Sequence, residues 1–143
     1  MPLLSSADEQ LLKQHLSTIT KEVTLLLFTQ TFGGSETGLL AKQVVDELAA
    51  LSDKVTVVEK NFVLDTEDRA KYGVDKSPAI VVLSDGEDTR IRMYGAPSGY
   101  EFVPLVEAVL LAGTHELELE PATLALLAGV TTPVHLQVFS TPT

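Results

Sequence analysis

Ser77-Pro78-Ala79-Ile80-Val81-Val82-Leu83 and, downstream, Gly95-Ala96-Pro97-Ser98-Gly99-Tyr100-Glu101-Phe102 decide the fold of this chain. Pro78 opens a short, continuous apolar run, Ala79 to Leu83, as a strand covered on both faces would. Asp85-Gly86 is a hairpin turn signal, and Glu87-Asp88 lengthens the predicted loop beyond two residues. Arg90-Ile91-Arg92-Met93-Tyr94 alternates polar and apolar, which predicts a half-exposed edge strand. Phe102, Leu105, Val106, Val109 and Leu110 then recur at helical spacing, so a long amphipathic helix follows, stopped by Gly113.

Upstream, Ser6-Ala7-Asp8-Glu9 has the S-x-x-E form of a capping box. Leu11, Leu12, His15, Leu16 and Ile19 continue one helical face. Val23 to Phe28 is a buried-strand run, and Gly33-Gly34 turns the chain after it. A helix is predicted from about Ser35 to Leu51 on the stripe Leu40, Val44, Leu48 and Leu51. Val55 to Glu59 is the second strand, and polar Asp65 to Tyr72 is a short helix or turn closed by Gly73. Parallel strands need a covering crossover, so the first two strands pair in parallel and the hairpin adds two more. The expected architecture is α/β: a mixed four-stranded sheet with helices on both faces.

After Gly113 the pattern changes. Thr114 to Glu120 is an acidic connector, Pro121 opens a helix through Ala128 ended by Gly129, and Val134 to Phe139 alternates as a further strand. The expected division is one unit over residues 1–113 and an extra helix and strand over 114–143.

The chain has 143 residues, 45% of them hydrophobic, enough for one core without covalent staples. It contains no cysteine, which excludes a disulfide framework, a zinc–thiolate site and a catalytic cysteine. A net charge of -10 repels nucleic acid and anionic membrane. No run approaches the roughly 20 apolar residues of a membrane span. The first residues lack a basic, apolar export signal, so a cytoplasmic location is expected.

The stretch from Val23 to Leu111 resembles the first unit of the tandem-thioredoxin family. Its members are protein disulfide oxidoreductases and the N-terminal region of the alkyl hydroperoxide reductase flavoprotein subunit. Leu48 to Thr56 is similar to the family's helix-to-strand passage, and Ser77-Pro78-Ala79 matches its cis-proline position. Gly95 to Phe102 resembles its G-x-P-x-G-H-E-F segment, with Tyr100 in place of His. The resemblance implies a thioredoxin-like (glutaredoxin-like) fold. It also implies that Ser35-Glu36-Thr37-Gly38 stands where redox-active members carry C-x-x-C, with Ser35 for the attacking cysteine and Gly38 for the resolving one. A serine hydroxyl is too weak an acid to replace a thiolate and forms no disulfide. The resemblance further implies that 114–143 is a linker, helix and first strand of an incomplete second unit.

No catalytic residue, cofactor or metal ligand is expected. The expected partner is a protein: a catalytic thioredoxin-like unit or its reductase, or a second copy through residues 133–139. Ser77 and Pro78 would border a peptide groove. Glu101 reads either as a vestigial acid or, with Ser98, as a capping box, although Pro104 argues for a helix beginning nearer Phe102. Gly33-Gly34-Ser35 reads as an anion cradle or a plain turn. His115, Glu116, Glu118 and Glu120 read as a hard-cation patch or a solvated linker. A hydrolase using Ser35 would need a base that the sequence does not pair with it.

Overall fold

In the computed structural model, which describes residues 2–30 and 33–141, β1 (Val23–Thr29) runs through the middle of the molecule. Its apolar side chains alternate between two cores. Leu25 and Leu27 point to one face, Leu26 and Phe28 to the other, and all four are buried. Each such side chain stabilises the fold by about 1.5–3 kcal/mol relative to exposure.

The strands are β1, β2 (Val55–Asn61), β3 (Ala79–Ser84) and β4 (Glu87–Tyr94), in the order β2-β1-β3-β4. β1 and β2 are parallel, in register from Val23 opposite Val55 to Thr29 opposite Asn61. β3 lies antiparallel to both β1 and β4. The first core gathers residues of α1 (Ser6–Leu16), α2 (Glu36–Ala49) and α4 (Phe102–Thr114) against Leu25, Leu27, Ile80 and Val82. Beyond the sheet lie Val74, Phe62 and Tyr72, around the short α3 (Thr66–Lys71), on Leu26, Phe28, Val81 and Leu83. The mixed four-stranded α/β arrangement is the one the sequence predicts.

Several local details differ from expectation. The capping box of α1 is Ser5 with Asp8, one residue earlier than Ser6 with Glu9. The β3–β4 turn contains only Asp85 and Gly86, both at positive φ (48° and 83°), while Glu87 and Asp88 belong to β4. The edge strand carries a bulge: its register shifts between Val81 and Leu83, and Arg90 sits at φ 65°. A 3₁₀ turn, Gly99–Glu101, precedes α4, and Ser98 makes no side-chain cap there, so the Ser98–Glu101 capping box is not formed. Pro104 falls in the first turn of α4, where its missing N–H has no intrahelical partner to lose.

α5 (Pro121–Ala128) forms as expected, but Val134 to Phe139 is not a strand. It pairs with no sheet edge among the described residues, and every residue from His115 to Thr141 is exposed. An alternating apolar pattern supplies one face of a strand, but the ladder needs a second strand, and this segment has none beside it.

Candidate functional site at the Pro78 end of the sheet

Register places the residues singled out in the sequence at one end of the sheet. Phe28 of β1 stands opposite Ala79 of β3, which in turn stands opposite Tyr94 of β4. Because β1, β2 and β4 end here and β3 begins here, four connections converge. They are the loop to Ser35, the segment after Asn61, the Ser77–Pro78 step and the Gly95–Glu101 passage into α4.

Ser35 is the N-cap of α2. Its hydroxyl oxygen accepts from the Gly38 N–H at 3.3 Å, and its carbonyl accepts from the same group at 2.9 Å. The Ser35 hydroxyl is therefore engaged in holding a helix end, a role serine fills well. Glu36 lies in the first turn of α2, favourably placed against the positive end of the helix dipole. Ser35, Glu36 and Thr37 are exposed and Gly38 is half-buried. A Cβ added to Gly34 would lie 2.3 Å from the Gln30 carbonyl oxygen, so the chain turns here with backbone close to backbone.

The Ser77–Pro78 peptide bond is cis. Pro78 is buried, and its carbonyl accepts from Gly95 N–H at 2.9 Å, while the Ser77 hydroxyl donates to Phe28 O at 3.4 Å. Beside them Lys76 Nζ stands 5.2 Å from the centre of the Tyr94 ring. Glu101, half-buried, accepts a hydrogen bond from the hydroxyl of Ser140 in the C-terminal segment. Open depressions lie against α3, lined by Phe62, Arg69 and Val74, and under the N-terminal segment, lined by Pro2, Glu47 and Leu51; Pro78 lines neither.

The rim of this end is apolar. Leu39, Val63, Leu64, Tyr100 and Val103 are 58–80% exposed. The sequence reading missed this rim, because each residue reads singly as a helix or loop position and only the topology gathers them. His115, Glu116, Glu118 and Glu120 are not brought together, and among the described residues no group of three His, Asp or Glu is placed to hold a metal. No helix among the described residues is long and apolar enough to cross a membrane.

No protein-family model matches the chain. The alkyl hydroperoxide reductase AhpF of Escherichia coli K12 is 33% identical over 104 residues, 73% of this chain and 18% of that protein. The same protein from Staphylococcus epidermidis is 25% identical over 137 residues, 96% of this chain and 24% of that protein. The chain thus spans less than a quarter of the length of these curated relatives. Among solved structures, the N-terminal domain of the alkyl hydroperoxide reductase AhpF of Enterococcus faecalis superimposes with a TM-score of 0.76 at 31% identity. That match covers 83% of this chain and 57% of the other. The chain belongs to the tandem-thioredoxin family, as a thioredoxin-like unit related to the N-terminal region of alkyl hydroperoxide reductase AhpF, and it contains no cysteine.

Proposed function

We propose that this chain is a redox-inactive thioredoxin-like module of a two-unit thiol–disulfide oxidoreductase system in the cytoplasm. It scaffolds a catalytic thioredoxin-like unit or binds that unit's protein partner. The observation that carries the reading is the capping role of Ser35 in a chain without cysteine. Thiol–disulfide exchange needs a thiolate to attack and a second sulfur to close the disulfide, and neither exists here. The fold keeps the end of the sheet at which that chemistry would occur, and it surrounds that end with exposed apolar side chains suited to protein contact. The module ends at residue 113, and the C-terminal segment begins at residue 114.

The test is reduction of insulin disulfides with dithiothreitol as electron source. The expected rate equals the dithiothreitol background. Acceleration above that background by the cysteine-free chain would overturn the reading. A second reading, an independent binder of extended peptides beside Pro78, draws on the same apolar rim. It predicts that a peptide array captures the isolated chain, whereas the scaffold reading predicts binding to a cysteine-bearing thioredoxin-like unit.

A further inference from the structure

We infer that His115 is a clasp that fixes the direction in which the C-terminal segment leaves the body of the molecule. The clasp sits at the opposite end of the sheet from Pro78, where Ser84 stands opposite Val23. His115 caps the C-terminus of α4 in the left-handed conformation, at φ 58°. Its Nε2 is 2.8 Å from the hydroxyl oxygen of Ser84, which is itself buried at 5% exposure.

The direction of this bond follows from proton accounting. The Ser84 hydroxyl has one hydrogen, and it donates it to the Ala112 carbonyl at 2.7 Å. The Ser84 oxygen can then only accept, so the hydrogen between the two side chains belongs to His115 Nε2. Neutral His115 is thereby held in its Nε2–H tautomer. Asp85, on the adjoining turn, is paired with Lys21 at 2.9 Å.

The platform beneath the clasp is held from several sides. The last carbonyls of a helix lack intrahelical donors. Here Leu111 O accepts from His115 N–H at 2.8 Å. Ala112 O accepts from Ser84, and Gly113 O accepts from the N–H groups of Thr20 and Lys21 at 3.0 Å each. Beyond it, Glu116 N–H donates to the Thr114 hydroxyl at 3.2 Å, and residues 116–141 are exposed throughout. Downstream the segment meets the body again through the Ser140 hydroxyl on Glu101, so α5 lies between that contact and the junction at His115, which sets the start of its path. His115 is a positioning residue for the C-terminal segment, independent of the redox reading above.

Two measurements test this. Long-range ¹H–¹⁵N correlation of the imidazole rings, assigned with His115→Asn, should find His115 as the Nε2–H tautomer. A Nδ1–H tautomer would overturn the proposal. Because the chain has no cysteine, the pair Thr56→Cys and Leu126→Cys can be spin-labelled cleanly for distance measurement between the sheet and α5. A single narrow distance peak is expected, and adding His115→Asn, which tolerates the left-handed backbone but cannot make the same reach, should abolish it. An unchanged peak in a variant with an unchanged urea midpoint would also overturn the proposal.

Discussion

Gly113 lies where α4 crosses the segment leading to β1, and a Cβ there would come within 2.5 Å of Ile19 Cγ2 and 2.7 Å of its Cγ1. Ile19 is buried, and being branched at Cβ it has little room to swing aside. Gly113→Ala should therefore destabilise by about 1–3 kcal/mol, the usual cost of overpacking, read as a lower urea midpoint at unchanged slope. Asp88 offers a pH-dependent counterpart. Its carboxylate takes two hydrogen bonds from the Arg92 guanidinium, at 2.7 and 2.8 Å, which holds its pKa below the ordinary value. A lowered folded-state pKa means the stabilisation is complete above the unfolded carboxylate value, about 3.9, and is lost as pH falls through the folded value. Urea midpoints should separate wild type from Asp88→Asn most at neutral pH, and the gap should begin to close only as pH falls below about 4, vanishing below the lowered folded value. A gap that widens on acidification would contradict this assignment.

Among the elements, the start of α1 can be decided by experiment. Ser5 and Ser6 are each followed three residues later by an acid, Asp8 and Glu9, so the sequence offers two capping boxes in adjacent registers. The structure uses Ser5, whose hydroxyl accepts from Asp8 N–H at 3.2 Å. Ser5→Ala should cost about 1 kcal/mol and Ser6→Ala close to nothing, measured by thermal or urea unfolding. The four strands and the long helices were legible because periodicity and apolar runs report burial directly. Glu87 and Asp88 misled because charge on an edge strand looks like a loop, although Asp85-Gly86 alone completes a two-residue turn with both φ positive. The family resemblance singled out Ser35, Pro78 and Glu101, and the topology brings the three to one end of the sheet. The apolar rim of that end and the bond from Ser140 to Glu101 were not legible, since both join positions far apart in the chain and exist only once register is set. The His115–Ser84 clasp escaped for the same reason.

At the scale of the whole molecule, two parts with different physical status share one chain. Both cores draw their buried residues from Leu16 to Ala112. Beyond them Leu136, Val138 and Phe139 are 85–91% exposed, in an apolar segment that pairs with no strand among the described residues. Such a segment tends to pair with another strand when one is within reach, and in a solution of this chain alone the available strand is a second copy. We therefore expect the full chain to self-associate with rising concentration in sedimentation velocity, and a chain ending at residue 129 to remain monomeric. The truncation should leave the unfolding midpoint nearly unchanged, because residues 130–141 are all exposed and neither core draws a residue from them, although it removes the hydrogen bond from Ser140 to Glu101. Two outcomes bear on different claims. Equal monomeric behaviour of both chains would remove the homodimer through residues 133–139. A truncated chain that unfolds would mean that the last segment completes the first unit's core, and would move the boundary from 113/114 to the end of the chain.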